Sequence, residues 1–171
     1  MRAVNLAFRA GSNEYWGPNG SAVVLSAGEK EPMLRFEKRP DGQWFRAIAE
    51  IRCGPDGSLA VLDGPESSGF GPAEGENAVA LFTSRGEPVR GRVVPPEVRP
   101  RNMAYTTGWI LLDDYEKTVL MNASDGAVRE LDLSEWIPKD EGATFGFSPD
   151  GQEIWAVTRK ECRLFRFARP E

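Results

Sequence analysis

A short turn recurs along this chain: Gly17-Pro18-Asn19-Gly20, Gly54-Pro55-Asp56-Gly57 and Ser148-Pro149-Asp150-Gly151. Proline presets the φ of a turn's second residue and glycine accepts positive φ at its end, so each tetrapeptide reverses the chain with little strain. Each is followed by an apolar, β-prone run: SAVVLSA from Ser21 to Ala27, SLAVLD from Ser58 to Asp63, and QEIWAVT from Gln152 to Thr158. A weaker copy is Tyr105-Thr106-Thr107-Gly108, which leads into WILLDD at Trp109 to Asp114. A tight turn feeding a strand is the mark of a β-hairpin, and its repetition constrains the fold more than any other feature of the chain.

The final glycines of the four turns are separated by 37, 51 and 43 residues, close to the roughly 40 to 45 residues of a four-stranded propeller blade. Eighteen Gly and thirteen Pro are more helix breakers than a helical protein of this length tolerates. Five Trp and nine Phe in 171 residues are enough to build a core. The reading is therefore all-β, a small β-propeller of about four blades, with residues 1–171 as a single domain.

In detail, the last repeat predicts strands at Ala143–Phe147, Gln152–Thr158 and Cys162–Ala168 and then lacks an outer strand. The apolar N-terminal segment Ala3–Phe8 is expected to supply it and close the ring, because an unclosed ring exposes sheet edges. The alternative is a partial propeller completed by another chain. The third repeat predicts strands at Asn102–Thr106, Trp109–Asp113, Thr118–Asn122 and Ala127–Leu131. The second predicts Glu50–Cys53, Leu59–Leu62, Ala78–Thr83 and Val89–Val94, with Gln43–Ala47 as the outer strand of the first.

Several function classes are excluded or disfavoured. The chain has no histidine, which removes imidazole-based triads and the common zinc sites. A net charge of −5 gives no overall field for a phosphate backbone, so nucleic acid is not an expected partner. The local group Arg90, Arg92, Arg99 and Arg101 is read as solvated strand edges and loops. No apolar run is long enough to span a membrane, and MRAVNLAFRA is too short and too polar for a signal peptide, so a cytoplasmic location is expected. Cys53 and Cys162 are placed in strands as packing thiols. No metal site and no cofactor is expected: Asp113-Asp114-Tyr115-Glu116 lacks the ligand spacing of a calcium loop and reads as a solvated hairpin tip.

The segment Ala143 to Phe167, ATFGFSPDGQEIWAVTRKECRLFRF, resembles a blade of the WD-repeat and bacterial PD-repeat propeller proteins. The likeness is weaker over Glu50–Leu62 and Asn102–Leu131, and the terminal Trp-Asp and Gly-His pairs of true WD repeats are absent. The resemblance implies a scaffold for protein partners more often than an enzyme.

In such a blade the Pro-Asp-Gly turns share one face. The longest irregular stretches, Gly64–Gly75, Pro95–Arg101 and Ser134–Gly142, fall on the other, where binding residues concentrate. The resulting expectation is a non-catalytic module that binds another protein, as a homodimer or in a hetero-complex. Its contacts would be Phe70, Arg99, Arg101, Trp136 and Lys139, with Tyr15 and Trp16 as a second patch. The rival is a small-ligand binder or metal-dependent enzyme at the channel mouth, using carboxylates such as Asp113 or Glu50.

Overall fold

The computed structural model describes residues 7–10, 23–26, 34–36, 38–43, 45–64, 76–114, 116–137 and 142–170. They form fourteen strands and no helix: β1 (Ala7–Ala10), β2 (Val23–Ser26), β3 (Leu34–Phe36), β4 (Ala47–Cys53), β5 (Leu59–Gly64), β6 (Ala78–Phe82), β7 (Pro88–Val93), β8 (Asn102–Thr106), β9 (Trp109–Asp113), β10 (Thr118–Asn122), β11 (Val128–Leu131), β12 (Ala143–Phe147), β13 (Glu153–Thr158) and β14 (Leu164–Ala168). These pair into four antiparallel sheets in chain order, β1-β2-β3, β4-β5-β6-β7, β8-β9-β10-β11 and β12-β13-β14. Among the described residues no helix is long and apolar enough to cross a membrane.

The strands of the last three sheets lie where the turn pattern puts them. Two expectations for the first repeat are corrected. Ala7 and Phe8 pair with Ser26 and Leu25 of β2, so the described part of the N-terminal segment starts the first sheet and does not close the last. Among the described residues the outer strand of the first sheet is β3, and Gln43–Ala47 is not that strand: Ala47 begins β4, and residues 39–43 just before it form a tight turn. There Gly42, at φ 82°, donates its N–H to the Arg39 carbonyl at 2.9 Å, and Arg39 N–H reaches the Gln43 carbonyl at 2.7 Å. Cys162 is also corrected: it lies in the turn after β13, exposed and at φ 54°. Cys53 ends β4, where burial pushes its thiol pKa up.

The chain divides into two compact units, Met1–Ile51 with Ser58–Val93, and Arg52–Gly57 with Val94–Glu171. In the first, every residue of β5 and β6 is buried, as a strand covered on both sides requires. In the second, Ala104, Leu111 and Leu120 of the third sheet meet Ala143, Phe145, Ile154 and Ala156 of the fourth, with Ile137 closing the cluster from the connection between them. The inner strands β8 and β12 of these two sheets lie against each other.

The turn at Ser148–Gly151 shows why its sequence recurs. Gly151 N–H bonds the Ser148 carbonyl at 2.8 Å. Asp150 Oδ1 accepts from Ser148 Oγ at 2.6 Å and from Gln152 N–H at 3.1 Å, and Glu153 N–H donates to Ser148 Oγ at 2.9 Å. Gly151 has φ +70°, and a Cβ there would stand 3.1 Å from Thr106 Oγ1 and 3.3 Å from its Cγ2. Gly108 has φ +89° but open space around it.

Replacing Gly151 with Ala should therefore cost about 1–2 kcal/mol for the left-handed backbone alone, plus the crowding against Thr106. Gly108→Ala should show only the backbone part, and urea unfolding of the two variants checks the order. Asp150 provides a second prediction. The Ser148 hydroxyl first, and then the Gln152 N–H, hold its pKa below the usual aspartate range. A depressed folded pKa stabilises above the unfolded value and is lost as pH falls through the folded one. A carboxyl titration followed by NMR should place the Asp150 midpoint below the usual aspartate range, and Ser148→Ala should raise it.

Candidate anion-binding cleft

The turn at Arg39-Pro40-Asp41-Gly42 is a further copy of the Pro-Asp-Gly motif, and it carries a charged cluster. Asp63, near the end of β5, has no exposed side chain, and a buried carboxylate must be met by donors. Arg46 N–H donates to its Oδ1 at 2.9 Å. Arg39 Nη1 lies 3.2 Å and Arg46 Nε 3.6 Å from its Oδ2. Arg39 is itself only 10% exposed. Its other edge is held by Asp41, at 2.8 Å from Nη2 to Oδ2, and by the Gln43 side chain. Arg46 also donates to the Glu76 carbonyl. Two guanidinium groups are thus fixed in position by one buried carboxylate and one turn.

These groups line a cleft of 490 Å³ in the first unit, together with Arg90 and Arg92 of the edge strand β7. Among the described residues, Asp41 and Glu76 are the carboxylates that oppose the four arginines along its wall. Among the described residues β7 is the last strand of its sheet, and its residues are exposed or nearly so, Val89 at 57%. Gly91, between the two arginines, has nothing within 4 Å of where a Cβ would stand. Four guanidinium groups around a roomy, water-accessible cleft can grip a phosphate or carboxylate through paired, charge-assisted hydrogen bonds.

A second cleft, of 340 Å³, lies in the other unit, lined by Asp113, Glu116, Glu130 and Asp132 against Lys117, with Thr118, Ser134, Ile137 and Phe145. Its sign is opposite. Asp113 is not a free carboxylate there: it is buried, its Oδ1 accepts from Thr118 Oγ1 at 3.0 Å, and its Oδ2 accepts from Asn102 Nδ2 at 3.1 Å. Asp114 organises the turn after β9, receiving Glu116 N–H at 2.9 Å, Lys117 N–H at 2.7 Å and Arg99 N–H at 3.3 Å. The solvated hairpin tip expected at Asp113–Glu116 is thus a structural joint in its first two residues. Among the described residues no group of three or more Asp, Glu or Cys is placed to hold a metal ion.

The remaining sequence candidates are scattered. Arg99 and Arg101 are exposed on the connection between β7 and β8, and Arg101 N–H donates to the Asp113 carbonyl at 2.8 Å. They belong to the second unit, whereas Arg90 and Arg92 belong to the first. Trp136 is 44% exposed, with its ring edge against Phe167 at 5.3 Å. None of these three lines the cleft of its own unit. Phe70, Lys139, Tyr15 and Trp16 lie outside the described residues. The Arg39, Arg46 and Asp63 cluster was missed, although the repeated Pro-Asp-Gly at residues 40–42 signals a turn there.

The sequence matches no protein-family model and no curated protein. WD-repeat or PD-repeat membership therefore has no family-level support. By structure, the chain is similar to a putative 6-phosphogluconolactonase from Bacteroides fragilis, with a TM-score of 0.54 and 12% identity, over 98% of this chain and 49% of that one. The likeness is one of fold, all-β and propeller-like, and the chain spans about half the length of the structure it matches. It also corrects the expectation of a non-catalytic interaction module, because the similar structure bears the name of an enzyme.

Removing Arg39 leaves the Asp63 charge buried with one fewer partner. Arg39→Ala should cost about 3 kcal/mol, the order found when one member of a buried pair is deleted. The double variant Arg39→Ala/Asp63→Asn should recover part of the loss, and urea unfolding of both variants tests this.

Proposed function

We propose that residues 1–171 form one domain whose four sheets are blades of a β-propeller, and that it serves an enzyme acting on a small phosphorylated or otherwise anionic sugar. The observation that carries this reading is the arginine cleft, in which Asp63 pins Arg39 and Arg46 while Arg90 and Arg92 line the same cleft. The name of the similar structure points in the same direction, towards a phosphorylated sugar lactone.

In this reading the arginines bind and orient. A guanidinium already held by a carboxylate loses little freedom when an anion arrives, so its binding energy is not spent on ordering the side chain. The same groups favour the negative charge that builds up when an ester or lactone carbonyl is attacked. With no histidine in the chain, proton transfer in this reading falls to carboxylates, lysine, tyrosine or water.

Calorimetric titration with glucose 6-phosphate, and with glucose as the control, tests the reading. Binding should require the phosphate and weaken with added salt. Arg90→Ala and Arg92→Ala sit on an exposed strand and should leave the unfolding midpoint in place while weakening binding by about tenfold each, the order for one hydrogen bond to a charged group. Equal binding of both sugars, or unchanged affinity in the two variants, would overturn it.

A further inference from the structure

The Arg39 guanidinium is engaged on almost every edge. Such a group has five N–H donors and accepts nothing. Nε donates to Asp41 Oδ1 at 3.3 Å and Nη2 to Asp41 Oδ2 at 2.8 Å, a fork on one carboxylate. Nη1 donates to Asp63 Oδ2 at 3.2 Å, and Nη2 donates also to Gln43 Oε1. These contacts use four of the five N–H groups, so Arg39 supplies charge to the cleft more than contacts. The same bonds fix Gln43. Because Arg39 only donates, the amide atom facing it is the oxygen, and the Nε2 end with its two N–H groups is turned away. The Gln43 backbone is tethered as well: its N–H donates to Asp41 Oδ1 at 3.0 Å and its carbonyl accepts the Arg39 N–H at 2.7 Å. Gln43 is exposed and lines the cleft together with Arg90 and Arg92.

We propose that Gln43 is a specificity-determining residue of this cleft, its Nε2 donating to an uncharged oxygen, hydroxyl or carbonyl, of the ligand whose anionic group the arginines hold. This role rests on the anionic-sugar reading and adds to it a group that reads the sugar. At 490 Å³ the cleft lies within the roughly 300 to 1,000 Å³ of small-molecule sites, room for a body beyond the phosphate. A neutral donor gains less from a phosphate oxygen than a guanidinium does. An amide already oriented by Arg39 loses little freedom when it meets an uncharged oxygen. A site that hydrogen-bonds such an oxygen rejects the analogue lacking it. Gln43 therefore separates a sugar phosphate from bare phosphate, which the arginines treat alike.

Calorimetric titration with glucose 6-phosphate and with inorganic phosphate tests this on the whole chain. Gln43→Leu removes the amide, whereas Gln43→Glu keeps an acceptor for Arg39 and removes only the donors. In both variants the preference for glucose 6-phosphate over inorganic phosphate should fall about fivefold, the order for one neutral hydrogen bond. The side chain is exposed, and an unchanged unfolding midpoint checks that each variant is folded. A preference unchanged in Gln43→Leu, or restored in Gln43→Glu, overturns the role of Gln43 and leaves the anionic-sugar reading standing. A wild-type chain that binds no glucose 6-phosphate overturns both.

Discussion

Each of the last three sheets depends on a buried polar group at the end of its second strand. Asp63 in β5, Asp113 in β9 and Thr158 in β13 occupy equivalent places and are at most 4% exposed. A polar group there is tolerated only if donors meet it, and the donors come from the chain that enters or leaves the sheet. Asp63 takes the Arg46 N–H and the Arg39 guanidinium. Asp113 takes the Asn102 amide and the Thr118 hydroxyl, while its carbonyl takes the Arg101 N–H. Thr158 Oγ1 takes the Arg163 N–H at 3.2 Å. One requirement thus sets the course of several connections.

This requirement also separates what the sequence shows from what it hides. The hairpins were legible because a Pro-Asp-Gly turn carries its own mechanism: a fixed φ, a side chain that bonds the next backbone, and a glycine for positive φ. The strands from β4 onwards followed. The first repeat was misread because Gln43–Ala47 has the apolar content of a strand, while Arg39–Gly42 was not counted among the turns. The cluster at Asp63 was invisible for a different reason. Its partners stand 24 and 17 residues away, a separation that turn and strand patterns do not encode. Asp113 and Asp114 look alike in sequence, yet strand register buries the first and leaves the second to cap a turn.

The position is the same, but the chemistry differs between sheets. At Asp63 the donors are two arginines, and positive charge is carried to the wall of a cleft that two more arginines complete. At Asp113 the donors are a neutral amide and a hydroxyl, and among the described residues lining the cleft of the second unit Lys117 stands against Glu116, Glu130 and Asp132. A structural joint built with charged donors accompanies an arginine-lined cleft, and one built with neutral donors an acidic one. The sign of each cleft thus goes with how a buried carboxylate is satisfied.

Burial leaves its record in strand sequence as well. β5 and β6, LAVLDG and AVALF, are buried throughout, and β9 and β10, WILLD and TVLMN, nearly so, and all are apolar over most of their length, as strands between two packed layers must be. β13, EIWAVT, alternates instead, with Ile154, Ala156 and Thr158 buried and Glu153, Trp155 and Val157 more open. Alternation with polar residues outward is the signature of a solvated face, but Trp155, Val157 and Leu164 are not polar. The outward face of β13 and β14 thus alternates in burial while remaining apolar in composition, with Val157 and Leu164 exposed on it.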